Sequence, residues 1–319
     1  MLEARDATWL PRFDPHDPQC LAEKTASRQN LAMPPLLLAL VAIGIWSSLA
    51  LLTTLVAGLP PLFSTGVALC IGGLVGLPGV RNWRLPPFTF AVGVGGIFGY
   101  HALLFAAFSL APAVEVNLLN YLWPLLIVLL SPLVLRGLRL TPRHVAGAVA
   151  GLSGAVLIAT GGGPIGAASG GQLPNQLAGY LLALSAALVW AVYSLMTKRV
   201  PPFPTSAVGG FCLASGLLSL ALFRLGGGAT FVMPHPNPGE WLALAALGIG
   251  PMGAAFFAWD AALKRGDPRI IGSLAYLTPL LSTMNLVLFG GKKVGPLALV
   301  ALVLIVGGAA LGALGKRSR

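Results

Sequence analysis

Long runs without a charged residue are the feature that most limits how this chain can fold. No charged residue lies between Arg28 and Arg81, and only 9% of the 319 residues are charged. Soluble globular proteins carry about 25% charged residues. A helix needs about 20 apolar residues to cross the ~30 Å hydrocarbon core of a bilayer. The sequence therefore predicts an all-α membrane protein and argues against an ordinary soluble enzyme, a disordered chain and a fibrous protein.

Ten apolar stretches are long enough to cross a membrane, with proline and glycine marking their limits. The predicted spans are 34–56, 61–80, 88–110, 113–135, 144–161, 178–197, 204–224, 241–259, 270–290 and 295–315. A polar tail is predicted at 1–33 and a basic tail at 316–319. The first tail lacks the apolar stretch and cleavage site of a signal peptide, so the first span is expected to act as an uncleaved signal-anchor.

The distribution of positive charge predicts the orientation. With ten spans, 17 of the 20 lysines and arginines fall on the side that holds both termini. Arg224, Lys292 and Lys293 fall on the other side. The positive-inside rule then places both termini in the cytoplasm. This topology accounts for the net charge of +11 without a nucleic-acid partner, because the basic residues form short clusters between apolar runs.

An internal repeat divides the chain into two halves. Residues 119–126 read LNYLWPLL and residues 274–281 read LAYLTPLL, at a constant offset of 155. Nearer the start of each half, Ile45-Trp46 corresponds to Val189-Trp190. The sequence thus predicts two five-helix repeats, 34–161 and 178–315, joined by a linker at 162–177. Since five is odd, the repeats are inverted, the arrangement that builds secondary transporters with a solute site near the midplane.

These features resemble a known family. The ten spans, the 5+5 duplication, VWAVYSLMTKR at 189–199 and the proline-centred fourth and ninth spans are similar to the drug/metabolite transporter superfamily, in its EamA-type group. EVNLLNYLWP at 115–124 resembles the YddG-type aromatic amino-acid exporters of that superfamily, although Thr278 replaces the tryptophan of this motif in the second half. The resemblance implies export of aromatic and other hydrophobic amino acids across a bacterial inner membrane.

Aromatic and polar residues recur at mid-depth in the predicted spans, about 12–20 Å from the span starts. Tryptophan and tyrosine usually occupy the membrane interfaces, so rings at mid-depth either fill helix contacts or line a central cavity. As a set, they favour a cavity in which an aromatic solute stacks on rings. The predicted substrate-binding residues are Trp46, Tyr100, His101, Asn120, Tyr121, Trp123, Trp190, Tyr193 and Tyr276.

Two ionisable residues stand out inside the spans, where such residues are costly and often functional. His101 either binds a solute or is satisfied by a neighbouring helix, and Glu115 either meets water at the outer surface or serves in gating or proton coupling. Asn117 shares a helix face with Asn120 and Trp123. The predicted gate or coupling residues are Glu115, Asn117, Pro124 and Pro279, the two prolines because they interrupt equivalent spans.

The chemistry of other protein classes is missing from the sequence. No phosphate-binding loop for ATP, catalytic constellation or metal-ligand cluster is visible, so neither a cofactor nor a metal is predicted. Cys20, Cys70 and Cys212 fit neither a disulfide framework nor a metal site. The alternatives are a transporter of another solute such as a nucleobase or drug, a passive channel, and a lipid-modifying membrane enzyme. Proton antiport and facilitated diffusion both remain open.

Overall fold

The computed structural model describes residues 33–160, 173–226, 232–289 and 297–314, and all regular structure in these ranges is helical. The predicted tails, apart from Met33, lie outside the described residues, as does the predicted linker as far as residue 172. The helices are α1 (Pro35–Trp46), α2 (Leu49–Thr54), α3 (Pro61–Val75), α4 (Pro87–Leu110), α5 (Ala113–Asn120), α6 (Trp123–Val134), α7 (Pro142–Thr160), α8 (Leu173–Met196), α9 (Val208–Gly226), α10 (Pro238–Ile249), α11 (Ala255–Arg265), α12 (Pro268–Leu274), α13 (Leu277–Leu288) and α14 (Leu297–Ala313). Two 3₁₀ turns, Leu77–Trp83 and Thr205–Ala207, and a π-helical turn, Gly250–Ala254, complete the described elements.

Several of these helices are suited to a membrane. Six helical segments of the described chain are long and apolar enough to cross one, and a seventh is a pair, Pro61–Val75 and Leu77–Trp83, bent by 87°. The six are Pro35–Thr54, Pro87–Leu110, Glu115–Val134, Gln176–Met196, Thr205–Gly226 and Pro238–Arg265. Helix α13 has only 12 residues because a break separates it from α12. The structure thus shows multiple apolar spans, and the count of ten stays a prediction.

Breaks divide two of the predicted spans at equivalent positions. The fourth is broken between α5 and α6 at Tyr121–Leu122, and the ninth between α12 and α13 at Ala275–Tyr276. Pro124 and Pro279 lie not at the breaks but in the first turn of the helix that follows each. A proline is tolerated there because the first-turn N–H groups have no partner within the helix. The prolines therefore lie in the first turn of the second helix of each pair, after the break.

Small residues let several helices approach closely. Helix α7 packs along α14, and α3 packs along α9. A Cβ atom on Gly147 would collide with the backbone of Gly308, and one on Gly308 would collide with the backbone of Gly147. Such contacts drive association where lipid removes the hydrophobic difference between helix and surroundings. Large side chains of α1, α6, α8 and α11 pack together in the main core, to which α3, α4, α9, α10 and α12 also contribute residues.

Candidate functional site

A cavity of about 520 Å³ lies between the ends of the broken helices and the core. Its wall runs from a group of aromatic rings to the segment from Val56 to Pro61, which joins α2 to α3. Seven of the nine predicted substrate-binding residues line it, namely Trp46, Tyr100, His101, Asn120, Tyr121, Trp123 and Trp190. A volume of this size fits a single small organic molecule.

Five rings form the aromatic cluster at the inner end of this cavity, with Trp46 at the centre. The Trp46 ring lies 6.3 Å from that of Trp123, 6.0 Å from Trp190, 6.0 Å from Phe256 and 5.2 Å from Trp259, centroid to centroid. Most of these pairs are edge-to-face, the geometry that the ring quadrupoles favour. Trp46, Trp123, Trp190 and Phe256 line the cavity, while Trp259 lies behind them, 2% exposed.

The π-helical turn fixes the central ring. The Trp46 Nε1–H donates to the carbonyl oxygen of Pro251 at 3.0 Å. Pro251 lies in the turn and has no N–H, so the regular hydrogen-bond ladder between α10 and α11 is interrupted here. Single π turns of this kind often occur at functional sites. The turn therefore supplies both a partner for the indole and a wall of the cavity, which Pro251 and Met252 line.

Polar groups also line the cavity. The Asn120 side-chain amide donates to the Tyr100 hydroxyl at 3.1 Å, and its oxygen has no partner among the described residues. His101 Nδ1 lies 2.7 Å from the Ile97 carbonyl oxygen, so Nδ1 carries the proton and Nε2 of the neutral ring is left as an acceptor. The Thr278 hydroxyl also lines the cavity without a described partner. These acceptors suit a ligand that brings its own hydrogen-bond donors.

Four of the predicted residues lie outside the cavity lining. Tyr193 packs against Trp190 with ring centroids 5.5 Å apart, behind the cavity wall. Tyr276 is fully buried in a second cluster, where its hydroxyl accepts a hydrogen bond from the Leu125 N–H at 3.1 Å. Pro124 and Glu115 are also buried and do not line the cavity.

The four predicted gate or coupling residues have different positions. Asn117 and Pro279 line the cavity, and Pro124 lies beyond it in the first turn of α6. Glu115 is 7% exposed, and its Oε2 has no hydrogen-bond partner among the described residues. The structure thus joins two of these residues to the cavity, whereas Pro124 and Glu115 are buried outside its lining.

Several lining residues escape prediction from the sequence. Phe256 lies 5.4 Å from Trp190 and Phe105 lies 6.3 Å from His101, centroid to centroid. Met252 and Leu247 bring α10 and the π turn into the wall. Phenylalanine and leucine are common throughout the apolar spans, so composition gives them no distinguishing signal. The run GIGPMG at 248–253 was the available sign, since glycine and proline within a span indicate an irregular helix.

A second and larger cleft of about 920 Å³ lies elsewhere in the structure and differs in chemistry. Its lining among the described residues includes no aromatic side chain but five basic residues: Arg136, Lys198, Arg199, Arg265 and Arg269. Lys198 and Arg269 are engaged, because Lys198 donates to backbone carbonyls at the end of α11 and Arg269 pairs with Asp267 at 2.6 Å. For an apolar solute, the ring-lined cavity is the better candidate. The described residues contain no group of three or more His, Cys, Asp or Glu that would hold a metal ion.

Comparison with known proteins gives one family and several relatives. The model of the EamA-like transporter family matches twice, over residues 33–160 and 177–313. A protein of Ancylobacter novellus named aromatic amino acid exporter YddG is 43% identical over 287 residues, which cover 87% of this chain and 96% of that protein. A protein of the same name from Salmonella typhimurium is 27% identical over 77% of this chain and 85% of that protein. A crystal structure that is 42% identical aligns with a TM-score of 0.78 over 87% of this chain and 96% of that one.

Proposed function

Because the chain belongs to the EamA-like transporter family, we propose that it exports aromatic amino acids by alternating access through the ring-lined cavity. The observation that carries the proposal is the cavity itself, in which aromatic rings, four of them from the aromatic cluster, and a few unpaired acceptors surround a space of about 520 Å³. The names of the relatives from Ancylobacter novellus and Salmonella typhimurium support the same substrate class. The family indicates a transporter rather than an enzyme.

The proposed binding mode follows from the two kinds of wall. An indole or phenyl side chain stacks among Trp46, Trp123 and Trp190, gaining about 0.5–1.5 kcal/mol for each ring contact. The ammonium group of the amino acid donates to the Asn120 side-chain oxygen, which has no described partner. His101 Nε2 accepts from the ammonium or from an indole N–H. Tyr100 and Tyr121 complete the polar side, and Tyr193 and Tyr276 support the rings and the helix break from behind.

The proposed architecture is ten helices in two inverted five-helix repeats, 34–161 and 178–315. The family model matches each half separately, over 33–160 and 177–313. Helices α5 and α12 begin 155 residues apart, at Ala113 and Pro268, and each ends at a break that precedes α6 or α13. The packing agrees as well, because α4 packs on α8 and its counterpart α11 packs on α1. The broken helices are proposed as the hinges, with Pro124 and Pro279 in their second segments.

The proposed location is the inner membrane, with the chain crossing it many times and both termini in the cytoplasm. The asymmetry of 17 against three basic residues supports this orientation. The segment from Val56 to Pro61 then lies outside, and the ring-lined cavity opens to that side. Asn117, lining this cavity, is placed to act in a gate, and the buried Glu115 is placed to act in gating or in proton coupling.

The experiment is flux of labelled tryptophan, phenylalanine, leucine and lysine in proteoliposomes. The native protein is expected to carry tryptophan and phenylalanine with saturation, and Trp123→Ala and His101→Ala are expected to lose this flux. Trp241→Ala is the matched control, because Trp241 is 46% exposed and outside the cavity. Flux of none of the four solutes would refute the substrate class and favour another solute, such as a nucleobase. Unchanged flux in both cavity variants would refute the site, and flux that never saturates would indicate a channel.

A further inference from the structure

The residues that line the outer part of the cavity have counterparts in the other half of the chain. Trp46 corresponds to Trp190 at an offset of 144, and the same offset relates Pro61, which begins α3, to Thr205, which begins a 3₁₀ turn. Helices α4 and α11 end 155 residues apart, at Leu110 and Arg265. At the offset of 144, the lining residues Thr53, Val56 and Leu59 correspond to Thr197, Val200 and Phe203. At the offset of 155, the lining residues Leu104, Phe105 and Phe108 correspond to Trp259, Asp260 and Leu263.

These counterparts form no cavity, because they are packed together. None of the six is more than 7% exposed. Contacts between the end of α8 and the end of α11 hold them closed, since the Lys198 ammonium donates to the carbonyl oxygens of Leu263 and Gly266, each at 2.7 Å. We call this packed set the closed vestibule. In an inverted-repeat transporter, the equivalent region of the second half opens when the first closes.

A carboxylate lies inside the closed vestibule. Asp260 is 2% exposed, and its Oδ2 accepts from the Thr205 hydroxyl at 2.7 Å and from the Lys264 ammonium at 2.6 Å. Its Oδ1 is buried without a hydrogen-bond partner in the described part of the chain. A buried carboxylate oxygen with no donor is costly, so it indicates a position that another donor occupies in a different state.

The surroundings of the Lys264 ammonium have the composition of an ammonium-binding site. The nitrogen donates to the Asp260 carboxylate and to the Phe203 carbonyl oxygen at 2.9 Å, and it lies 3.4 Å from the centroid of the Phe203 ring. A carboxylate, a carbonyl oxygen and an aromatic face are the groups that recognise a cationic amine. The side chain of Lys264 is 19% exposed, so its long flexible stem reaches the site from the protein surface.

We propose that Asp260, Phe203 and Thr205 form a second substrate site, which binds the ammonium group of the amino acid when the vestibule opens to the cytoplasm. Lys264 fills this site in the closed state and is displaced by the substrate ammonium in the open one. The inference depends on the proposed function and orientation. The chain would then have two ammonium-binding sites, one at Asn120 in the outward-facing cavity and one at Asp260 on the cytoplasmic side. The substrate is bound and released at each site without a covalent change.

The test compares Asp260→Asn, Lys264→Met and the charge-matched control Arg265→Gln. The side chain of Arg265 is exposed and makes no hydrogen bond or ion pair within the described residues, so Arg265→Gln removes a positive charge near Asp260 without removing a contact to it. Tryptophan uptake is measured in inverted membrane vesicles, which present the cytoplasmic face, and in right-side-out vesicles. Asp260→Asn is expected to raise the KM for tryptophan roughly tenfold or more in inverted vesicles only, because a charge-assisted hydrogen bond is lost. Lys264→Met is expected to lower that KM, because an internal competitor is removed.

Indole-3-propionate, which lacks the ammonium group, separates ammonium recognition from a general loss of the site. Its inhibition constant at the cytoplasmic face is expected to be equal in the native protein and Asp260→Asn. The double variant Asp260→Asn with Lys264→Met leaves no unpaired buried charge and is expected to keep the raised KM even if the single variant folds poorly. An unchanged KM for tryptophan in the double variant, or equal changes at both faces, would overturn the proposal.

A second measurement does not depend on transport. Thr197→Cys, placed in a chain whose three native cysteines are replaced by alanine, is reacted with a membrane-impermeant maleimide from the cytoplasmic face. Lys264→Met is expected to speed this labelling, and Arg265→Gln is expected to leave it unchanged. Equal labelling rates in both variants would overturn the role of Lys264 as the group that fills the closed vestibule. If the native protein carries no tryptophan while Lys264→Met still speeds the labelling, the proposed function fails and the closure by Lys264 stands.

Discussion

Replacement of Trp46 tests the central ring of the cavity most directly. The side chain is 9% exposed, contacts four other rings of the aromatic cluster and donates its indole N–H to the Pro251 carbonyl oxygen at 3.0 Å. Two variants divide these contributions. Trp46→Phe keeps an aromatic ring but removes the N–H, and Trp46→Ala removes the ring as well.

The two substitutions are expected to lower the free energy of unfolding by different amounts. Trp46→Phe leaves a buried carbonyl oxygen in the π turn without its donor, which is expected to cost about 1–3 kcal/mol in the free energy of unfolding. Trp46→Ala also leaves a void next to Trp123, Trp190 and Trp259, and the removal of a buried tryptophan side chain costs about 3–5 kcal/mol. The individual ring contacts, at about 0.5–1.5 kcal/mol each, are not added to this figure because neighbouring effects are not additive.

The assay is reversible unfolding in mixed detergent micelles, followed by far-ultraviolet circular dichroism. Trp241→Ala is the control, since Trp241 is 46% exposed and contacts no other ring in the described chain; a change within about 0.5 kcal/mol is expected for it. At position 46, the free energy of unfolding must be lowest with alanine, higher with phenylalanine and highest with the native tryptophan. If Trp46→Ala cost no more than Trp241→Ala, the reasoning that the ring cluster fixes the packing of α1 against α11 would be refuted.

Three further perturbations follow from the same structure. Gly147→Leu is expected to separate α7 from α14, because a side chain at this position meets the Gly308 backbone. The control is Gly95→Leu, since a Cβ atom on Gly95 meets no described atom within 4 Å. A fall in melting temperature well beyond that of the control would confirm the expectation, and an equal fall would contradict it. Tyr276→Phe is expected to cost about 1–3 kcal/mol, because the Leu125 N–H loses its acceptor at the helix break, and denaturant unfolding that shows no change would contradict this. Burial raises the pKa of Asp267, but hydrogen bonds and charge from its arginine partner outweigh burial and hold this pKa below its ordinary value of 3.8. The contribution of this ion pair to stability is therefore complete above pH 3.8 and is lost as the pH falls below it, so Asp267→Asn is expected to flatten the acid end of the melting profile; parallel profiles would contradict this.

Depth in the predicted spans is the property by which the sequence identifies several residues that share one cavity. Trp46, Trp123 and Trp190 were identified because their rings lie far from the interfaces that tryptophan ordinarily occupies, and the structure brings them to one cavity. Tyr276 corresponds to Tyr121 in the repeated motif but lies in the second cluster, where its hydroxyl accepts a hydrogen bond from a backbone N–H. Depth follows from position along a helix, whereas direction depends on rotation about the helix axis.

That rotation is poorly encoded in these helices. Helix α1 reads PLLLALVAIGIW and is apolar on every side, so no amphipathic face shows which side chains point inward. Phe256, which contacts both Trp46 and Trp190, escapes prediction for a different reason, because phenylalanine is common throughout the apolar spans. The sequence predicts interruptions at Pro124 and Pro279, but in the structure the helix breaks lie a few residues before these prolines. The reason is that a proline is tolerated in the first turn of the following helix.

The sequence by itself predicts a helical membrane protein, two repeated halves and aromatic residues at mid-depth of the predicted spans, because hydropathy, period and position are properties of the chain alone. Only the tertiary structure decided which rings share a cavity and which side of the molecule that cavity reaches. The bond between Trp46 and Pro251 joins residues 205 positions apart, and Asp260 acquires its partner Thr205 from another helix end. Such contacts depend on how helices rotate and pack against one another, and uniformly apolar helices leave that choice to the shapes of their neighbours.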